Sequence, residues 1–208
     1  MLRKRGALIV LEGGDRAGKS TQTKMLTKAL IDRKIPAEAL SFPNRETRVG
    51  AVLSEFLSKK IHVPPVAAHL LFSANRWECE KEMKMTLLSG VTLIVDRYAA
   101  SGAVYGQVNT GRSLFWCQQA DMGLPKPDCV VFLKVSPQLQ EQRGDWGKER
   151  FERNDFQQRV NDNYEKIKDD TWIVVNADHD QLTVHAQILE KVLTVIEDVE
   201  SSDIAKLT

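Results

Sequence analysis

The chain has 208 residues, of which 42% are hydrophobic and 27% charged, enough to bury the core of one globular domain. A formal net charge of +1 excludes a general attraction to nucleic acid or membrane, so an anion site requires a local cluster of cations. The apolar run Ala7 to Leu11 is far too short for a signal peptide or a membrane span. We therefore expect an intracellular protein with a single domain over residues 1–208.

Short apolar runs alternate along the chain with longer segments of helical periodicity, which is typical of βαβ units. The predicted strands are Ala7 to Leu11, Ala37 to Phe42, Val91 to Val95, Cys129 to Val135 and Trp172 to Asn176. The predicted helices are Lys19 to Arg33, Val49 to Lys59, Pro65 to Leu88, Ser113 to Ala120, Phe156 to Asp169 and Asp180 to Val199. Because the strands are continuously apolar, the class is α/β, with a five-stranded parallel sheet covered by helices on both faces.

The cysteines and histidines show no metal-binding pattern. Cys79, Cys117 and Cys129 are widely spaced and odd in number, so we expect buried or half-buried free thiols in a reducing compartment. His69 and His185 lie in helical patterns and are expected to be ordinary, partly exposed residues.

Residues 13–20 read GGDRAGKS and follow the first predicted strand directly. Their spacing matches the G-x-x-x-x-G-K-[ST] phosphate loop, in the required context between a strand and a helix. Glycines let backbone N–H groups surround phosphate oxygens, and the helix that begins near Lys19 adds its positive end. We expect Lys19 to contact the outer phosphates of a nucleoside triphosphate and the Ser20 hydroxyl to bind Mg²⁺.

Two pairs of an acid and an arginine belong to this region, one within the loop and one at a neighbouring strand end. Arg16, beside Asp15 within the loop, could stabilise a transferring phosphoryl group, and the alternative is that it points to solvent. Asp96 and Arg97 follow the strand Val91 to Val95, so they belong to the sheet edge that carries the phosphate loop. Asp96 could complete the Mg²⁺ site and Arg97 could face a phosphate, although such a pair is also common in plain surface turns.

Further cations and an aromatic residue could approach the same edge. Arg45 follows the second strand, while Phe72 and Arg76 are one turn apart on one face of the long predicted helix. A ring that stacks beside a planar donor suits a nucleobase. The alternative for Phe72 is an ordinary core position. The whole helix, Pro65 to Leu88, is expected to pack across the sheet or against a partner.

Five ordered stretches resemble the thymidylate kinase family of the eukaryotic type: LEGGDRAGKSTQ, FPNRET, LLFSANRWE, DRYAASG and LPKPDCVVFL. The resemblance covers about residues 5–156. It implies a three-layer P-loop NTPase fold with a lid, and transfer of the γ-phosphoryl group of ATP to dTMP in dTTP synthesis. It further implies Mg²⁺ as cofactor, dTMP and ATP as substrates, and a homodimer. The implied location is the cytoplasm, with the nucleus left open as a second compartment.

The resemblance also implies roles for individual residues. The implied catalytic residues are Asp15, Arg16, Lys19 and Arg97. The implied ATP-binding residues are Gly13, Arg16, Ala17, Gly18, Lys19, Ser20, Thr21 and Arg143, the last against adenine. The implied dTMP-binding residues are Asp15, Phe42, Arg45, Phe72, Arg76, Arg97, Ser101, Gly102 and Tyr105. Ser20 and Asp96 would hold the metal.

The charged, glycine-containing segment 143–154 would be the lid that closes over ATP, and we call it the lid segment. The alternative is a solvated surface loop. Two positions depart from the family pattern. Gly14 stands where a bulkier aliphatic residue is common, which predicts a more mobile loop, and Phe151 stands where Tyr is common.

Two other functions are compatible with a phosphate loop. The nearest is another P-loop kinase, such as a deoxynucleoside kinase or an adenylate-kinase-like enzyme. A pocket that donates a hydrogen bond to a carbonyl at base position 4 favours thymine or uracil and disfavours cytosine. A GTP-dependent switch would need an N-K-x-D segment after a late strand, where this chain has NADHD. Because dTMP and dUMP differ by one methyl group, worth about 1 to 3 kcal/mol, some dUMP activity is expected.

Overall fold

The computed structural model describes residues 5–143, 147–169, 171–199 and 202–208. Five strands form one parallel sheet in the order β2-β3-β1-β4-β5. They are β1 (Leu8–Glu12), β2 (Ala37–Ser41), β3 (Thr92–Asp96), β4 (Cys129–Lys134) and β5 (Ile173–Asn176). The predicted α/β class is confirmed, and each strand begins and ends within one residue of its expected position.

The helices described are α1 (Lys19–Asp32), α2 (Arg48–Leu57), α3 (Pro65–Leu88), α4 (Ala99–Thr110), α5 (Leu114–Gln119), α6 (Pro137–Gln142), α7 (Asn154–Ile167) and α8 (Gln181–Val199). The sequence pattern predicted neither α4 nor α6. Helix α4 is apolar on most of its surface and contains two glycines, so it lacks an amphipathic period. Helix α6 has only six residues.

Alternate residues of β1 face opposite layers, which fixes the three-layer arrangement. Ile9 and Leu11 pack into a cluster with α1 and α8, whereas Leu8 and Val10 pack with α3 on the other face. In the strand order, β1 lies at the centre of the sheet, with β3 on one side and β4 on the other. The carboxyl end of β1 is therefore the point where the strand order reverses, and ligands of open α/β sheets bind there.

The three cysteines and His69 are all buried. All three cysteines are free and buried, as expected. The expectation for His69 is wrong, because this residue is buried between α3 and α4 with its imidazole against Trp116. A Cβ atom on Gly106 of α4 would lie 2.4 Å from His69 Nδ1, so the close packing of the two helices encloses the ring.

Candidate active site

The phosphate loop connects β1 to α1. Gly18 caps α1 in the left-handed region at a φ of 97°, a conformation that glycine adopts without strain. Lys19 is buried, and its Nζ donates a hydrogen bond of 2.6 Å to the carbonyl of Gly14. Burial, followed by the positive charge of Arg97, lowers the pKa of Lys19 to about 8. The loop is thus closed around a lysine whose charge is poorly solvated, and an anion would relieve that cost.

Asp15 lies at the centre of a network that joins three elements. Its carboxylate accepts a short hydrogen bond from Arg97 and one of 2.6 Å from Gln157 Nε2 of α7. The Asp15 N–H donates to Gln157 Oε1 at 2.9 Å, and the Asp15 carbonyl accepts from Gln140 at 2.5 Å. Arg97 also lies over the ring of Tyr105 at 5.0 Å. The position of Asp15 is therefore fixed through both its backbone and its side chain.

The described part of the lid segment lies against two of the predicted arginines. Arg16 forms an ion pair of 2.9 Å with Glu152, and Arg45 forms one of 2.7 Å with Glu149. Phe151, which lies between Glu149 and Glu152 in the sequence, stacks on Phe156 with ring centroids 4.8 Å apart. Residues 144–146 of the lid segment lie outside the described residues. Arg143 at its start donates to the carbonyls of Arg16 and Ala177 at 2.6 and 2.9 Å.

Ser20 and Asp96 present oxygen atoms side by side. The Ser20 hydroxyl donates a short hydrogen bond to one carboxylate oxygen of Asp96. The other oxygen, Asp96 Oδ1, is buried and has no hydrogen-bond partner among the described residues. An unpartnered carboxylate oxygen beside a hydroxyl fits a hard cation such as Mg²⁺, which prefers oxygen ligands. Within the described residues there is no cluster of three or more His, Cys, Asp and Glu residues suited to a metal.

A cavity of about 620 Å³ joins the phosphate loop to a second end between α3 and α4. Phe72 and Arg76 of α3 line that second end, together with Ser101, Gly102 and Tyr105 of α4. Of the residues predicted for the site, all line this cavity except Gly13 and Ala17, which are buried beside it in the loop. The fold thus brings together predicted residues that are separated by more than a hundred positions in the sequence.

Several polar residues of the site were not predicted from sequence. Glu12, at the end of β1, is buried and accepts hydrogen bonds from the N–H groups of Tyr98 and Ser101 at 2.9 and 3.1 Å. It also accepts from the Tyr164 hydroxyl of α7 at 2.8 Å. A charged residue at the end of a buried strand was the available signal for Glu12. Gln157 and Asp121 have no local signal, because their partners are distant in sequence.

A phosphate loop joined by one cavity to a separate aromatic and guanidinium end is the arrangement of a P-loop kinase that acts on small molecules. Comparison with known proteins narrows this class. The family model for thymidylate kinase matches residues 11–188, and the chain belongs to the thymidylate kinase family. The prediction of an enzyme of this family is confirmed.

Individual relatives agree over nearly the full length. The chain is 42% identical to the thymidylate kinase of Danio rerio over 207 residues, covering 98% of each chain. It is 47% identical to that of Homo sapiens over 191 residues, covering 90% of each. The solved structure of thymidylate kinase from Candida albicans superimposes with a TM-score of 0.85 at 32% identity, covering 98% of this chain and 99% of that one.

Proposed function

We propose that this chain transfers the γ-phosphoryl group of MgATP to dTMP, giving dTDP and ADP, as a step of dTTP synthesis. The observation that carries the proposal is the single cavity that has the phosphate loop at one end and Phe72 with Arg76 at the other. Two anionic substrates can meet in it with their phosphates beside Asp15, Arg16 and Arg97.

The reaction forms a bond between a dTMP phosphate oxygen and the γ-phosphorus, and it breaks the bond from that phosphorus to the bridging oxygen of ADP. The attacking oxygen is already ionised at neutral pH, so no general base is required. Catalysis then depends on alignment and on neutralising charge. We assign charge neutralisation to Lys19, Arg16 and Arg97, which line the cavity at its phosphate end.

We propose that ATP occupies the phosphate loop, with Arg143 beside adenine. Ser20 and Asp96 would hold Mg²⁺, which would supply positive charge to offset that of the phosphates. Asp15 would bind the sugar hydroxyl of dTMP, because Arg97 and Gln157 already hold its carboxylate in place. Arg45 and Arg97 would bind the dTMP phosphate, Phe72 would stack on thymine, and Arg76 would donate to its O4 atom.

A coupled assay of ADP release tests the proposal. Purified protein with MgATP is expected to turn over dTMP rapidly, dUMP more slowly, and dCMP, AMP and thymidine hardly at all. Absence of ADP release with dTMP would overturn the proposal. Rapid turnover of thymidine would instead support a deoxynucleoside kinase, the nearest alternative.

We further propose a homodimer that forms through α3. Leu70 and Trp77 on α3, with Phe115 on α5 and Met122 beyond it, are large apolar residues that stay exposed. Such a group of apolar side chains is typical of an interaction surface. Sedimentation is expected to give twice the 23.5 kDa chain mass, and Leu70→Asp is expected to give the monomer.

We also propose a cytoplasmic location, and the buried free thiols agree with it. No helix among the described residues is long and apolar enough to cross a bilayer.

A further inference from the structure

A buried ion pair lies behind the nucleoside end of the cavity. Arg76 Nε and Nη2 donate to the two carboxylate oxygens of Asp121 at 3.0 and 2.7 Å. Both side chains are nearly inaccessible, at 3% and 2% exposure. The hydroxyl of Ser73 also donates to Asp121 Oδ1, at 2.7 Å. This fork holds the plane of the guanidinium in one orientation.

The pair is pressed against the backbone of α4. A Cβ atom on Gly102 would lie 2.4 Å from Arg76 Nη2 and 2.9 Å from its central carbon. Any side chain at this position would displace the guanidinium. The absence of a side chain lets the Arg76 guanidinium lie directly against α4, whose residues also line the cavity.

Asp121 is itself held by the turn that follows α5. Its N–H donates to the carbonyl of Gln118 at 3.1 Å, and its own carbonyl accepts from Leu124 at 3.2 Å. Gly123, in the same turn, donates to the carbonyl of Leu207 near the C-terminus at 3.0 Å. These backbone hydrogen bonds fix the turn, so the position of the Asp121 carboxylate does not depend on Arg76 alone.

We propose that Asp121 is a positioning residue that sets the base selectivity of the enzyme by fixing Arg76. Arginine carries five N–H donors. Asp121 accepts from Nε and Nη2, and Nη1 makes no hydrogen bond within the described residues, so Nη1 stays available to the base. A carbonyl at position 4 of thymine or uracil can accept from it. The 4-amino group of cytosine is a donor and cannot accept from Nη1, and the Asp121 oxygens that could accept from it are already engaged by Arg76 and Ser73.

This inference rests on the proposed function, since it assumes that Arg76 reads the base of dTMP. The new element is that Asp121, which lies 45 positions from Arg76 and was not predicted from sequence, determines how strongly Arg76 discriminates between bases. A site built to donate a hydrogen bond rejects a mismatched analogue strongly, whereas a loosely held donor does not. Removing this constraint on Arg76 is therefore expected to weaken dTMP binding. It is also expected to reduce the ratio of kcat/KM for dTMP to kcat/KM for dCMP.

The test is Asp121→Asn with a matched control. Arg5 and Asp128 form a second buried fork, with distances of 2.8 and 2.7 Å, at the amino ends of the strands and away from the cavity. Asp121→Asn and Asp128→Asn are both expected to lower the melting temperature, because each leaves an arginine without its carboxylate. Only Asp121→Asn is expected to raise KM for dTMP, by about tenfold or more, while KM for ATP changes less than about twofold.

A double substitution tests whether Asp121 acts through Arg76. Arg76→Lys keeps the charge but not the planar fork, so it is expected to reproduce the loss of selectivity. Asp121→Asn combined with Arg76→Lys is expected to be about as impaired as either alone, because coupled residues are not additive. Fully additive losses would overturn the inference. If Asp121→Asn fails to fold, Ser73→Ala replaces it, because this substitution removes one hydrogen bond to the Asp121 carboxylate. An unchanged KM for dTMP in the Ser73→Ala variant would then overturn the inference.

The outcomes separate the two proposals. A wild-type protein that does not phosphorylate dTMP overturns the proposed function. A wild-type protein that does, together with an Asp121→Asn variant whose KM for dTMP matches that of Asp128→Asn, overturns this inference alone.

Discussion

Arg16 of the phosphate loop and Glu152 of the lid segment form an ion pair in which the carboxylate is almost fully buried and the guanidinium one-third exposed. Glu152 Oε2 also accepts from the Glu149 N–H at 3.0 Å, and Glu149 in turn contacts Arg45. Two arginines proposed to bind phosphates therefore have lid carboxylates as partners. Substrate phosphates have to compete with these carboxylates for the same guanidinium groups.

Glu152→Gln is expected to strengthen ATP binding, because Arg16 loses an anionic competitor. A partly exposed pair is worth up to about 1 kcal/mol, so the dissociation constant for ATP should fall by up to about fivefold. Titration calorimetry measures it directly. Glu149→Gln is the control, since it leaves Arg16 paired and is expected to affect dTMP binding through Arg45. Weaker ATP binding by Glu152→Gln would show that Glu152 assists the bound nucleotide instead.

Gly14→Val is expected to slow turnover by disturbing Asp15. The space beside Gly14 is filled by three carboxamides: a Cβ atom would lie 3.1 to 3.3 Å from Asn161, Gln140 and Gln157. Because Gln140 and Gln157 also hold Asp15, a larger side chain displaces the groups that position it. Overpacking of this kind costs about 1 to 3 kcal/mol. Steady-state kinetics and thermal melting should show Gly14→Ala as the milder case, and an unimpaired Gly14→Val enzyme would contradict this account.

Local signals explain which parts of the molecule could be predicted. The phosphate loop was found because its spacing and its place between β1 and α1 are both local. Helix α3 was found because four of its apolar residues recur at helical spacing: Leu70, Leu71, Ala74 and Trp77. Helix α4 was missed because it is packed against α3 through Gly102 and Gly106, which weaken a helical pattern. Tertiary packing, not intrinsic propensity, makes this segment helical.

The supporting residues of the site could not be predicted, because their partners are remote in sequence. Asp121 meets Arg76 from 45 positions away, and Gln157 meets Asp15 from 142. Only the folded sheet edge brings them together. The error for His69 has the same origin, since its burial depends on the approach of α4 at Gly106.

His69 is expected to make stability fall as the pH decreases. Burial, with the positive charge of Arg76, lowers the pKa of His69 against the opposing charge of Asp121. The unfolded chain keeps the usual value of about 6.5, so below that pH it binds the proton more readily than the native state. The contribution is therefore complete above about pH 6.5 and is lost as the pH falls toward the native pKa.

Urea unfolding of wild type and His69→Gln at about pH 7.5 and pH 5.5 measures this effect. The variant is expected to lose less stability between the two conditions. His185→Gln is the control, since burial also lowers the pKa of that less buried residue and a smaller change should result. If wild type and His69→Gln lose the same free energy of unfolding between the two pH values, the pH dependence belongs to other groups.

Deleting residues 203–208 is expected to destabilise the protein and, through the turn at Asp121, to weaken dTMP binding. Leu207 exchanges hydrogen bonds with Gly123 and Leu124 at 3.0 and 2.9 Å, and the side chains of Ile204 and Leu207 pack on the core beside Tyr98. Losing two half-buried apolar side chains costs about 1.5 to 3 kcal/mol. Lys206→Ala, an exposed position in the same segment, should stay within about 0.5 kcal/mol of wild type. Because the segment is far from the phosphate loop, KM for dTMP should rise while KM for ATP does not. A truncated protein with lower stability but an unchanged KM for dTMP would limit the role of the segment to the core.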